Sequence, residues 1–94
     1  MNILIKKQNN LVVMLGDNIQ YVTDNGNQFY YSVNNNKPWE VQKIHIQNQN
    51  DFEIIDVSNV TIPDDVLDFK YTYDSNLMEF SISQEWLNNQ SDNL

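Results

Sequence analysis

The chain has 94 residues, 40% of them hydrophobic, and it carries 13 carboxylates against five lysines and no arginine, for a net charge of −8. This length allows one domain with one core, and the absence of cysteine excludes disulfides and thiolate metal sites. The negative field repels nucleic acid phosphates, and arginine, the usual two-point ligand of phosphate, is missing, so we expect no direct DNA or RNA binding.

The apolar N-terminal segment, residues 1–5, is followed at once by Lys6 and Lys7. It is too short for a signal peptide or a membrane span. We therefore expect no membrane contact and no secretion by a signal peptide, and we place the protein in the cytoplasm where it is made or inside a larger assembly.

Short apolar runs alternate with polar residues in the first half of the chain, and turn-forming clusters of Asn, Asp and Gly separate them. The predicted strands are residues 2–6, 11–15, 19–23 and 28–33. The pair Asn25-Gly26 lies between the last two, and Asn-Gly readily takes the positive φ angles of a type I′ hairpin turn. In residues 28–33, Phe29, Tyr31 and Val33 alternate with Tyr30 and Ser32, which predicts that Tyr30 lies on the less apolar face.

The middle of the chain predicts two further strands with different exposure. In residues 41–47, Ile44 and Ile46 alternate with polar residues, which predicts a half-exposed strand with His45 on its wet face. Residues 52–57 have apolar side chains of both parities, so either both faces are covered or a bulge shifts the register. The pattern does not distinguish these alternatives.

The last third predicts a second hairpin between two irregular segments. Residues 61–67 contain Pro63 followed by acids, which is typical of one helical turn or a simple turn. Residues 69–73 and 78–82 then alternate around a turn at residues 74–76. Residues 83–87 can dock one apolar turn, and residues 88–94 form a polar, flexible tail.

These patterns predict a mainly β fold. It is a small antiparallel sandwich or partly open barrel of six to eight short strands built from hairpins, with at most one or two short helical turns. Residues 1–87 form a single β domain, followed by the tail of residues 88–94.

Candidate sites are few. Tyr30, Trp39 and Trp86 are aromatic side chains of the kind that anchor protein interfaces, although each tryptophan can equally close one end of the core. Asp64 and Asp65 form, with Asp68, a small acidic cluster that suits a partner or a hard cation, and turn capping is its simpler role. No nucleophile–base pair is recognisable and paired carboxylates are too common to be informative, so we expect no enzyme, no cofactor and no metal.

The order of features resembles that of small proteins encoded among the tail genes of phages of Gram-positive bacteria. A short Lys-bearing strand and Asn-rich hairpins precede Ile62-Pro63-Asp64-Asp65-Val66 and Phe69-Lys70-Tyr71-Thr72-Tyr73. The most specific part covers residues 62–80, about a fifth of the chain, and residues 83–94 depart from it. The resemblance implies a non-enzymatic virion or tail-accessory protein, found in the host cytoplasm or the virion, that forms a homo-oligomer or attaches to a larger tail protein. It carries over no site residues.

Three functions fit these observations. The first is a phage or prophage structural protein that acts by protein–protein contacts or self-association. The second is an acidic inhibitor that mimics nucleic acid and occupies a host nuclease or defence protein, which a double row of carboxylates on one face would favour. The third is a small carbohydrate- or ligand-binding β domain with Trp39 or Trp86 as a stacking platform.

Overall fold

The computed structural model describes residues 1–34 and 37–92 and, among these, the side chains of all but residues 34, 37–40, 91 and 92. The chain forms strands in chain order, a 3-10 turn at Gln49–Asp51 and one terminal helix, which confirms the mainly β prediction. The elements are β1 Asn2–Lys6, β2 Val12–Gly16, β3 Gln20–Asp24, β4 Asn27–Asn34, β5 Lys37–Ile46, β6 Phe52–Asp56, β7 Tyr71–Asp74, β8 Glu79–Ile82 and α1 Gln84–Asp92.

The central layer is an antiparallel sheet in the order β2-β1-β6. Its strands carry unbroken apolar runs such as Ile3-Leu4-Ile5, and such a run suits a strand that is covered on both faces. Ile3 and Ile5 pack in one core cluster, whereas Leu4 packs in the other. The central sheet therefore separates two small cores.

Each core joins the central sheet to a different outer layer. The first core contacts the β7-β8 hairpin and the segment before it, and its buried members are Ile3, Ile5, Val12, Val57, Val66 and Tyr73. The second core contacts the sheet β3-β4-β5, and its buried members are Leu4, Val13, Met14, Ile19 and Tyr30. An antiparallel bridge between Leu11 and Thr72 also ties β7 to the start of β2.

The two alternatives for residues 52–57 are resolved by the pairing of β6 with β1. This pairing runs from Asn2 opposite Asp56 to Lys6 opposite Phe52 without a register shift. Phe52 packs against the second core and Ile55 against the first, so coverage on both faces is the correct alternative. The β-bulge of this sheet lies in β2, where the pairing passes from Met14 to Val12 and leaves Val13 as the extra residue.

The outer sheet β3-β4-β5 begins with the predicted hairpin. Asn25 and Gly26 have φ angles of 50° and 83°, the two positive values that a type I′ turn requires. The ladder then pairs Tyr21 with Tyr30 and Tyr30 with Ile44. Side chains at paired positions share a face, so the side chains of Tyr21, Tyr30 and Ile44 all point toward the second core.

The predicted facing of β4 is wrong. Tyr30 is only 3% exposed and Ser32 is 0% exposed, whereas Phe29, Tyr31 and Val33 are half-buried on the opposite face. The inward Ile44 and Ile46 of β5 fix which parity of β4 faces the core. Ser32 suits its inward position because its side chain lies against Gly16, where a Cβ on the glycine would collide with Ser32 Oγ.

The segment before β7 consists of turns, and the C-terminal residues form a helix. Pro63 O accepts the N–H of Val66 at 3.1 Å, and Asp65 O accepts that of Asp68 at 3.0 Å. In α1, Ser83 Oγ accepts the N–H of Trp86 at 3.4 Å as an N-cap. The helix extends to Asp92, beyond the single turn predicted to end at residue 87, and no helix of the described residues is long and apolar enough to cross a bilayer.

Candidate functional site

The outward surface of the sheet β3-β4-β5 carries apolar side chains on all three strands that the core does not use. We call it the open face, and its apolar members are Val22, Phe29, Tyr31, Val33 and Val41. These side chains belong to neither core cluster. Four of them are half-buried and Val41 is 51% exposed, so together they form a contiguous apolar surface over three strands.

Cross-strand pairs arrange the open face. Val33 lies opposite Val41, Tyr31 opposite Lys43, and Phe29 opposite His45. Lys43 Nζ lies 4.2 Å from the centre of the Phe29 ring, and the His45 ring lies 5.8 Å from it. The Lys43 contact has a cation–π geometry, in which the ammonium group lies over the face of the Phe29 ring.

Among the side chains that the structure describes, the open face carries two formal charges, and they lie on opposite margins. Alternation along β3 puts Asp24 on this face at the end of the strand, and Lys43 lies on β5 at the other margin. These two formal charges cancel, whereas the whole chain carries −8. The acids that produce the net charge therefore lie mainly elsewhere, and the described part of the open face is nearly neutral.

A second cluster holds the opposite layer together around Lys70. Its Nζ lies 2.6 Å from Asp65 Oδ2, 5.7 Å from the centre of the Tyr71 ring and 5.4 Å from the centre of the Trp86 ring. We call Asp65, Lys70, Tyr71 and Trp86 the Lys70 cluster. It joins the turn before β7, the strand itself and α1 through one side chain.

The electrostatics of the Lys70 cluster follow from these contacts. Hydrogen bonds from Lys70 and then from Tyr71 hold the pKa of Asp65 below its ordinary value. The carboxylate in turn raises the pKa of Lys70 and of Tyr71. The charge of Asp65 is thus neutralised within the fold, which leaves less negative charge at this turn for a partner.

Of the five site residues predicted from the sequence, the structure brings Asp65 and Trp86 together around Lys70 and places Tyr30 apart from them. Tyr30 is buried in the second core, where burial raises its pKa, so its predicted role as an exposed contact is wrong. Trp86 is half-buried beside Lys70, Asp65 is paired with Lys70, and Asp64 is exposed. Trp39 lies in β5, and its side chain is outside the described residues.

Sequence reasoning missed the open face because it assigned Phe29, Tyr31 and Val33 to the core. One signal in β5 points the other way. Val41 shares its parity with Lys43 and His45, so an apolar side chain stands on the predicted wet face of that strand. The ladder pairs these three residues of β5 with Val33, Tyr31 and Phe29, which therefore lie on the same face.

Other exposed apolar side chains lie at turns, in the strands β6 and β8, and in α1. Phe69 is 57% exposed with a φ of 59°, a left-handed conformation that is strained for an aromatic residue. It lines, with Leu67 and Ile44 among others, a groove of about 220 Å³. Leu77 and Met78 are exposed at the β7-β8 turn. The open face differs from them because its apolar side chains lie on three paired strands.

Within residues 1–34 and 37–92, no three His, Asp or Glu side chains are grouped so that they could hold a metal ion. Comparison of the chain with protein-family models, with curated proteins and with solved structures found no match.

Proposed function

We propose that this chain is a non-enzymatic structural protein that works by protein–protein contact through the open face, as a tail-associated component of a phage or prophage particle. The observation that carries the proposal is the apolar surface of Val22, Phe29, Tyr31, Val33 and Val41, which the core does not use.

The chemistry of the open face suits protein contact. Apolar surface that spans several strands is costly to leave in water, and aromatic side chains contribute most to interfaces because they bury large areas with few rotatable bonds. The two formal charges described on this face, Asp24 and Lys43, lie on its edge strands, so a contact centred on β4 need not bury an unpaired carboxylate at its middle. A flat sheet surface of this kind fits another sheet better than it fits a small molecule, which needs a concave site.

The particle assignment rests on the resemblance of residues 62–80 to phage tail-region proteins. In the fold these residues form the turn before β7, the β7-β8 hairpin and the Asp65 and Lys70 pair. Their buried members, Val66 and Tyr73, belong to the first core, on the other side of the central sheet from the core that the outer sheet covers. The proposal therefore assigns the hairpin layer to the stability of the protein and the outer sheet to assembly.

Incorporation into particles tests the proposal. We expect the wild-type chain to co-purify with particles released after prophage induction in the strain that encodes it. Tyr31→Lys, which puts a charge in the middle of the open face, is expected to lower incorporation by about tenfold or more. Leu77→Lys makes the same charge change at a residue that is 65% exposed in the β7-β8 turn, and it is expected to incorporate normally.

Two results would overturn the proposal. Absence of the wild-type chain from purified particles would refute the structural role. Equal incorporation of the Tyr31→Lys and Leu77→Lys variants would show that the open face is not the contact surface. Circular dichroism and thermal unfolding of each purified variant show whether a loss reflects misfolding, and Val41→Lys, at a more exposed position, serves as a second open-face variant.

A further inference from the structure

We propose that Asn25 is a site of spontaneous deamidation, in which the Gly26 nitrogen closes a succinimide ring at the tip of the β3-β4 hairpin. The reaction needs only this turn, water and a base, so it does not depend on the proposed function. Its products are an aspartate and an isoaspartate at position 25.

The sequence of the turn provides the two reacting groups. The side-chain amide of an asparagine is open to attack by the backbone nitrogen of the next residue, and a side chain on that residue crowds the attacking atom. Glycine has no Cβ, so it crowds the nitrogen least. Asn25 is the one asparagine of this sequence that a glycine follows.

The turn leaves both groups accessible. Asn25 and Gly26 are exposed, and a Cβ built at Gly26 would meet no atom within 4 Å. The strand pairing ends at Asp24 opposite Asn27. Within the residues that the structure describes, neither the Asn25 amide nor the Gly26 N–H makes a hydrogen bond. Water and base therefore reach both groups without any change in the core.

The bond rotation that the attack requires is confined to the end of the hairpin. The φ angles of Asn25 and Gly26, 50° and 83°, hold a type I′ turn, and the backbone between them has to rotate before the nitrogen faces the amide carbon. The pairing of Asp24 with Asn27 closes this turn, and hydrogen bonds at the end of an element open at low free energy. The reaction thus proceeds from the folded protein through local opening of the turn.

The reaction exchanges ammonia for water. A base removes the proton of the Gly26 N–H, the nitrogen forms a bond to Asn25 Cγ, and the bond from Cγ to Nδ2 breaks. Nδ2 takes up a proton and leaves as ammonia. Water then opens the ring at one of its two carbonyls. Opening at the side-chain carbonyl gives aspartate, whereas opening at the backbone carbonyl gives isoaspartate, whose main chain runs through the side chain and is longer by a single carbon.

Both products change the hairpin. Each adds a negative charge beside Asp24, at a margin of the open face. Isoaspartate also lengthens the main chain of a tight hairpin turn, which then no longer matches the strands that it joins. We therefore expect chains with isoaspartate at position 25 to unfold at a lower urea concentration than fresh chains.

Storage of the purified full chain at neutral and at mildly alkaline pH tests the proposal. Peptide mass spectrometry locates each conversion of an asparagine to an acid, and an isoaspartate-specific methyltransferase distinguishes the two products. We expect position 25 to convert about tenfold or more faster than any other asparagine, which requires only a small difference in barrier. The rate rises with pH because a base removes the proton of the attacking N–H.

Two variants serve as controls. Asn25→Gln keeps an amide but moves it one methylene away, so closure needs a larger ring, and we expect no conversion at position 25. Gly26→Asn keeps a residue that tolerates left-handed angles and adds a Cβ, and we expect it to slow conversion at position 25 about tenfold. Conversion of Asn25 no faster than that of the other asparagines overturns the proposal, as does an equal rate in Gly26→Asn.

Discussion

The central sheet and the outer sheet both contain apolar residues of both parities, but they use them differently. In β1, Ile3, Leu4 and Ile5 are all buried, because a layer covers each face of the central sheet. In β4, Tyr30 is buried while Phe29 and Tyr31 remain half-exposed, because only one face is covered. An apolar run without alternation is therefore found both in a strand that is covered on two faces and in a strand whose second face remains partly exposed.

Replacement of a valine by alanine in each of the two sheets is expected to give the largest difference in stability. Val12 is 0% exposed in β2 and Val41 is 51% exposed in β5. We expect Val12→Ala to lower the free energy of unfolding by about 2–3 kcal/mol, through lost burial and the cavity left behind. Val41→Ala is expected to change it by less than about 0.5 kcal/mol.

Urea unfolding of both variants at one protein concentration measures this contrast. Similar losses for the two valines would show that the open face is covered within the monomer. The comparison between the two sheets would then fail.

Substitution at the contact between the two sheets, where Gly16 meets Ser32, is expected to have the next largest effect on stability. A Cβ at position 16 would collide with Ser32 Oγ and lie 3.0 Å from Ser32 Cβ. We expect Gly16→Ala to cost about 1–3 kcal/mol, since the sheets must move apart or Ser32 must shift. Thermal or urea unfolding measures the loss.

Ser32→Ala is the matched variant, and its expected effect has the opposite sign. The buried Ser32 hydroxyl has no hydrogen-bond partner among the described residues. Removal of that hydroxyl should leave stability unchanged or raise it by up to about 1 kcal/mol. A clear loss for Ser32→Ala would indicate that the hydroxyl is hydrogen-bonded in solution.

The sequence predicted the strands well and the facing of β4 poorly, for one physical reason. Local turn chemistry at Asn25-Gly26 and alternation at Ile44 and Ile46 depend on neighbouring residues, so they can be read along the chain. The face that β4 buries depends on the close approach of β2, where Gly16 leaves room for Ser32. That approach joins segments distant in sequence, and the greater hydrophobicity of Phe29 and Tyr31 pointed to the wrong side.

The same limit applies to the candidate site. The acidic pair was recognised, but the pairing of Asp65 with Lys70 depends on how the turn returns to β7. The aromatic character of a surface was also expected, yet its members are Phe29 and Tyr31 rather than Tyr30.

Substitution of Gly26 in the β3-β4 hairpin of the outer sheet is expected to have a smaller effect on stability. Gly26 has a φ of 83° and a Cβ there would meet no atom within 4 Å, so a substitution acts through the backbone alone. We expect Gly26→Ala to cost about 1 kcal/mol, and Gly26→Asn to cost less because asparagine tolerates left-handed angles. Equal losses for the two variants in urea unfolding would contradict this turn conformation.

The smallest effect concerns the Lys70 cluster in the layer opposite the open face. The pKa of Asp65 lies below its ordinary value of 3.8, so the ion pair adds stability above that pH and loses it as the pH falls through the lowered pKa. The pKa of Lys70 lies above 10.5, so the same contribution is lost as the pH rises through the raised value. Asp65→Asn is expected to be less stable than wild type between these limits and to converge with it in acid.

Asp64→Asn makes the same charge change at the neighbouring, exposed acid. Because this variant leaves the Lys70 contact intact, we expect its stability to depend on pH as that of the wild type does. Urea unfolding at neutral pH and below pH 3.8 measures this dependence. A parallel profile for Asp65→Asn would contradict the pairing.

The side chain of Gln42 links the outer sheet to the central one. Its Oε1 accepts the N–H of Leu15 at 3.2 Å and its Nε2 donates to Leu15 O at 2.6 Å, so an amide from β5 occupies one position on the edge of β2. Because this amide carries no charge, neither acid nor added salt should loosen the joint. Under conditions that weaken the Lys70 cluster, we therefore expect the Gln42 contact between the two sheets to persist after the terminal helix has lost its contact with Lys70.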